Sequence, residues 1–209
     1  MRTEDQLRAE YVVAMGPDLG QWYYELEREL DWLRQKWSVF QDLFDKGSER
    51  IEMLNTVASN FFHILHRFLF EDAMLHLCRL TDPPKTGSYQ NLTMMSLSER
   101  ISEATLKASV STAADRVKKG CEFARQWRHK RLAHTDLEVF RTGNTGLPAV
   151  ESKDIENALL SMSSLLNLIR EHYDLSPAFL GADSWGAEPL IRCLEEGVRA
   201  TEKGDQFTN

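Results

Sequence analysis

Trp22-Tyr23-Tyr24-Glu25-Leu26-Glu27-Arg28-Glu29-Leu30-Asp31-Trp32-Leu33-Arg34-Gln35-Lys36-Trp37-Ser38-Val39-Phe40 sets Trp22, Leu26, Leu30, Leu33, Trp37 and Phe40 at steps of three and four, with charged residues between them. That period is the stripe of an α-helix with one apolar face; a half-buried strand would alternate at every second residue. The stripe begins near Asp18 and ends at Gly47, and Ser48 stands where it can cap the next helix. The following stretch, to about Thr81, is the most apolar in the chain, with Phe61, Ile64, Leu65, Phe68, Leu69, Leu75, Leu77 and Leu80. It is expected at the centre of a bundle.

Outward from this pair the pattern stays helical. Residues 3–14 read as a short helix stopped by Gly16-Pro17. Downstream, Asp82-Pro83-Pro84-Lys85-Thr86-Gly87-Ser88 ends the long helix, because consecutive prolines remove donors and bias the preceding residue away from helix. A short helix is expected from Ser96, which has Glu99 in capping-box spacing, and a long one over 104–133. Gly143, Asn144, Gly146 and Pro148 mark a loop, Ser152 is placed to cap a helix reaching about Tyr173, and a more polar helix covers about 188–203 before a frayed tail. No alternating strand pattern and no repeat is visible. The fold class is therefore all-α: an up-and-down helical bundle with extra N- and C-terminal helices, residues 1–178 forming one helical domain and 179–209 a C-terminal linker and helix.

At 42% hydrophobic and 27% charged residues, the 209-residue composition is that of an ordinary folded domain. No apolar run approaches the roughly 20 residues of a membrane helix, and the charged N-terminus lacks a signal-peptide core, so a cytoplasmic protein is expected. Cys78, Cys121 and Cys193 are odd in number and have no metal-ligand spacing, which points to buried, reduced thiols. The net charge of −7 is unevenly spread. From Asp115 to Arg131 stand seven cations (Arg116, Lys118, Lys119, Arg125, Arg128, Lys130, Arg131) and two acids, a local +5 in an otherwise acidic chain. Such a distribution suits a focused anion site rather than a broad DNA-binding surface.

Several candidate sites dissolve on inspection. His63 and His66 lie about 60° apart on a helix, while Asp72 and His76 point elsewhere, so they do not build a metal site. Arg79 and Asp82 read as a helix-end ion pair, and the Asn91-Leu92-Thr93 sequon carries no weight in a chain without an export signal. No Walker loop, nucleophile elbow or other cofactor motif is present, and no cofactor is expected.

What remains is Arg128-His129-Lys130-Arg131-Leu132-Ala133-His134-Thr135-Asp136. Imidazole donates and accepts protons near neutral pH, and a forked guanidinium binds the extra negative charge of a pentacoordinate phosphate. Those types suit attack of an RNA 2′-hydroxyl on its neighbouring phosphate, with no metal required. Asp136 is placed to orient His134 and favour its protonated form. The plain alternative is a helix C-terminus dressed with cations that complement its dipole. On a straight helix, six residues turn by about 600° and rise about 9 Å, leaving Arg128 and His134 about 120° apart. Either the helix breaks near Ala133, or two chains meet across a two-fold axis to form one cleft.

Arg128 to His134, with Asp136 following, resembles the R-x(4–6)-H motif of the HEPN superfamily. Leu54-Asn55 leading to Phe61-Phe62, Leu77-Cys78-Arg79-Leu80-Thr81-Asp82-Pro83-Pro84 and Asn91-Leu92-Thr93 are similar to the HEPN family named after the abortive-infection protein AbiU2. The resemblance covers about residues 11–140. It implies a HEPN-like four-helix bundle, usually dimeric, and a metal-independent endoribonuclease of toxin or antiphage type, restrained in some systems by an antitoxin. Arg128 then stabilises the phosphate and His134 is general acid or base. His129 stands where the family often has Asn, and Lys130 and Arg131 help hold the RNA backbone. A non-catalytic HEPN module that binds a nucleotide or a protein through the same cleft is the second expectation.

Overall fold

The computed structural model describes residues 3–132, 147–176 and 186–205, with side chains to Thr201. Helix α1 (Glu4–Met15) starts at a capping box in which the Thr3 side chain accepts from Gln6 N and the Gln6 side chain accepts from Thr3 N. Gly16, at φ 83°, turns the chain directly into α2 (Pro17–Phe44), whose first helical residue is a proline, where the missing N–H costs nothing. Helix α3 (Ser48–Thr81) follows Gly47, with Ser48 as its first helical residue and not its cap. Non-helical dihedrals at Ala58 kink α3. The later helices are α4 (Ala104–Gly120), α5 (Glu122–Trp127), α6 (Ser152–His172) and α7 (Glu188–Asp205). Among the described residues the protein is all-α apart from one two-residue antiparallel ladder, β1 (Lys85–Thr86) with β2 (Tyr89–Gln90), around Gly87 at φ 60°. Two residues per strand leave no alternation to read in the sequence.

Two compact units divide the chain: residues 1–33 with 74–180, and residues 34–73 with 181–209. In the first, α4 packs along α6 through Leu106, Val110, Ala114 and Val117 on one side and Ile155, Leu159, Met162, Leu166 and Ile169 on the other. Tyr11, Tyr23, Leu26, Leu30, Met74, Leu77 and Leu80 are fully buried in the same unit. Each such side chain contributes roughly 1.5–3 kcal/mol by leaving water. In the second unit Leu43, Leu54, Phe62, Ala187 and Ile191 form the core, with Leu65 and Leu69 partly buried against it. Asp42 ties α7 to α2 by accepting from Ala187 N at 2.9 Å, a carboxylate at the positive end of a helix.

Several expectations are corrected. Helix α3 does not bury all its apolar residues: Phe61, Ile64, Phe68 and Leu75 are 59, 66, 67 and 38% exposed. It carries apolar side chains on more than one face: Leu54 and Phe62, with Leu65 and Leu69, take the core of the second unit, and Met74, Leu77 and Leu80 that of the first. The expected helix from Ser96 is a pair of 3-10 turns, Met94–Ser96 and Ser98–Arg100, whose cap is Thr93, accepting from Met95 N; Ser96 is buried and donates to Thr93 O. Glu103 caps α4, and Glu151, not Ser152, caps α6. The expected helix over 104–133 is interrupted at Cys121, which takes φ −99°, ψ 10°. Cys78 and Cys121 are buried as expected, but Cys193 is exposed on the polar helix α7.

Candidate functional site

The site region is built from the end of α3 upward. Thr81 closes that helix by donating its hydroxyl to Leu77 O at 2.7 Å. Asp82 and the two prolines follow, and a second segment clamps them. Thr93 Oγ1 lies 2.8 Å from Asp82 O and 3.0 Å from Leu80 O. Asn91 donates its side-chain amide to Pro83 O at 2.8 Å and its backbone N–H to Pro84 O at 2.9 Å. Prolines cannot donate, so their carbonyls are what a clamp can hold. The phrases around Asp82 and Asn91 thus hold each other.

Helix α5 brings its cations to this corner. Arg125 donates Nη2 to Thr81 O, satisfying a carbonyl at the negative end of α3. Trp127 Nε1 donates to Pro148 O at 3.1 Å. From Arg128 to Leu132 the winding widens to a π-helical turn. Such turns are rare and recur at functional sites. Arg128, its first residue, places Nη1 2.8 Å from both Oδ1 and Oδ2 of Asp82. The two side chains are 34 and 21% exposed, so the pair is reachable by a ligand without being fully solvated.

This corrects the expected Arg79–Asp82 pair. Arg79 is exposed, and Asp82 lies beyond the last helical residue, where helical spacing no longer aligns it with Arg79. His129 is exposed on the π turn, and Lys130 and Arg131 are half-buried there. His134 and Asp136, like Ala133, lie outside the described residues. Arg128, His129, Lys130 and Arg131 are therefore gathered on one turn, and α5, which follows the interruption at Cys121, gives up α-helical winding at Arg128. Sequence reasoning missed Asp82 as a partner of Arg128 and Arg125 as a helix-end ligand. The signal for Asp82 was its place in a family phrase just before two prolines.

Buried thiols stand beside these cations. Burial pushes Cys78 up to about 11, against the opposing pull of Arg128 and Arg125, and pushes Cys121 up to about 12, against Arg125. Both stay protonated at neutral pH and are poor nucleophiles. Among the described residues no group of three or more His, Cys, Asp or Glu converges to hold a metal. His66 packs its ring against Phe40 and Phe44, at centroid distances of 5.1 and 4.9 Å.

The HEPN family model described as AbiU2 matches residues 16–187, from the residue before α2 to the residue before α7. The chain belongs to the AbiU2 family of HEPN domains. Among curated proteins and among solved structures, nothing matches. HEPN domains are commonly RNases of defence systems. Among the described residues no helix is long and apolar enough to cross a membrane.

Proposed function

We propose that this AbiU2-family protein is a metal-independent endoribonuclease of toxin or antiphage type. The observation that carries the reading is a half-buried arginine at the head of the family motif, held on a π turn with His129, Lys130 and Arg131. In the reaction a base removes the 2′-hydroxyl proton and the 2′-oxygen bonds to the adjacent phosphorus. The bond to the 5′-oxygen breaks as that oxygen takes a proton, leaving a 2′,3′-cyclic phosphate and a 5′-hydroxyl. Arg128 binds the charge that builds on the phosphate, and His134 moves a proton, oriented by Asp136. His129, Lys130 and Arg131 hold the flanking backbone. The protein acts as a homodimer that joins two motifs in one cleft, and an antitoxin that covers this cleft would silence it.

The test is cleavage of RNA by purified protein in EDTA, with the ends analysed, beside Arg128→Ala and His134→Ala. Cyclic phosphate ends are expected from the wild type, and a loss of 100-fold or more, on the order of one acid–base or electrostatic contribution, from each variant. Intact RNA in the presence of folded wild type, with Arg128-dependent nucleotide or protein binding, would instead establish the non-catalytic module.

A further inference from the structure

We infer that Asp82 is a positioning residue for Arg128: its carboxylate holds one end of the guanidinium and leaves the other edge open to grip an RNA phosphate. The inference rests on the ribonuclease reading for its substrate but on geometry for the role. Both carboxylate oxygens meet the same nitrogen, Nη1, at 2.8 Å. A guanidinium carries five N–H groups in a planar fork, and a phosphate engages two parallel ones. With Nη1 taken, the Nε–Nη2 edge is such a pair. Among the described residues no hydrogen bond or ion pair is made at that edge.

Asp82 is a rigid post because its backbone is fixed from four directions. Its N–H reaches Arg79 O at 3.4 Å, its carbonyl is met by Thr93 Oγ1, two prolines follow, and Asn91 holds both proline carbonyls. Arg128 starts a π turn, where an unsupported long side chain samples many rotamers. Fixing it in advance removes an ordering step from the reaction, and a misplacement of about 1 Å costs on the order of 100-fold in rate. A free counter-ion would act in the opposite sense, repelling RNA and competing for the guanidinium. The two roles therefore differ in which kinetic constant they move.

The experiment compares wild type, Asp82→Asn, Asp82→Ala, Arg128→Ala and the Asp82→Ala/Arg128→Ala double variant, each checked for an unchanged melting temperature. Cleavage kinetics are measured with one RNA, and the Arg128 Nε–Hε resonance is followed by NMR with and without a 2′-O-methyl oligoribonucleotide, which binds but cannot be cut. Positioning predicts a fall in kcat of about 10- to 100-fold for Asp82→Ala. Asp82→Asn should lie between, KM should stay nearly constant, and the double variant should lose no more than Arg128→Ala alone. It also predicts a single Arg128 resonance that shifts with oligonucleotide in the wild type and averages out in Asp82→Ala. A lower KM with unchanged kcat in Asp82→Ala would overturn the inference in favour of a competing counter-ion. Losses that add in the double variant would place Asp82 on another step and overturn it as well. If the wild type cuts no RNA yet the resonance shifts only when Asp82 is present, the ribonuclease reading fails and the positioning role stands.

Discussion

Replacing Tyr11 by phenylalanine removes one oxygen from the interior of the first unit, and the structure sets what that should cost. Tyr11 is completely buried on α1 and donates its hydroxyl to Glu27 Oε2 on α2 at 2.6 Å. Glu27 is itself 7% exposed. Tyr23 donates to its other oxygen at a longer 3.4 Å, and Arg170 Nη1 of α6 stands 3.9 Å away. A short hydrogen bond to a buried carboxylate contributes about 1.5–3 kcal/mol, and its removal leaves that carboxylate short of a donor. Tyr11→Phe should therefore destabilise the protein by about 2–3 kcal/mol, whereas Tyr23→Phe, at its longer distance, should cost less than about 1 kcal/mol.

The same geometry makes a second, sharper statement about pH. Burial and then Glu27 raise both phenols well above their ordinary value, Tyr11 with the hydrogen bond before the charge of Glu27 and Tyr23 with the charge first. The folded protein keeps these protons after the unfolded chain has begun to lose them near pH 10. Their contribution is complete below about pH 10 and is lost as pH climbs beyond it, at about 1.4 kcal/mol per pH unit for each group. Urea unfolding of wild type and Tyr11→Phe on both sides of pH 10 isolates one of these protons, because every other group titrates in both proteins. The alkaline slope should be shallower in the variant by that amount. Equal slopes, together with a neutral-pH loss under about 0.5 kcal/mol, would refute the buried Tyr11–Glu27 bond.

A β-carbon at Gly20 would lie 2.4 Å from Tyr11 O, against backbone that cannot step aside, so Gly20→Ala should lower stability by at least about 1–3 kcal/mol despite better helix propensity; a raised melting temperature would contradict this α1–α2 approach. Thiol labelling of the native protein at pH 8 should modify Cys193 quickly and leave Cys78 and Cys121 unreacted until urea is added, and two fast thiols would be inconsistent with their burial. Leu54→Ala should cost about 2–5 kcal/mol, whereas Phe61→Ser and Phe68→Ser should stay within about 0.5 kcal/mol, a contrast read by urea midpoints and reversed if α3 faced the core as its sequence suggests. Binding of a 2′-O-methyl oligoribonucleotide should weaken with salt at a log–log slope of about −2, from Arg128, Lys130 and Arg131, and a slope near −5 would mean that the whole basic stretch contacts RNA.

The helices were legible because a stripe such as Leu26, Leu30, Leu33 and Trp37 can be buried by only one backbone period. Their ends were less so. Ser152 favours a cap by type, yet Glu151 one residue earlier fills the role with Asp154, whose carboxylate accepts from Glu151 N at 2.9 Å. A helix with apolar residues on several faces has no unique inward side, and α3 resolves that ambiguity by packing Leu54 and Phe62 while leaving Phe61 and Phe68 in solvent. The motif arginine was singled out in the sequence by its spacing and chemistry. Its partner was not: Arg79 and Asp82 are three apart in sequence, but helical neighbourhood ends with the helix, at Thr81.

The basic stretch shows why counting charges overstates a binding surface. Seven cations between residues 115 and 131 suggest one strong positive field. Arg125 is committed to a carbonyl at the end of α3, and Arg128 has a built-in counter-ion in Asp82. Arg116, Lys118 and Lys119 belong to α4, before the interruption at Cys121, so they do not share the π turn with Arg128. The turn itself carries Arg128, Lys130 and Arg131. On the proposed ribonuclease reading, a field of that size suits a grip on a few phosphates around one scissile bond, and the orientation of Arg128 then matters more than the total charge around it. Asp82 costs the site one unit of positive charge. In a site that acts through one well-placed guanidinium, a fixed direction is worth more than the charge given up.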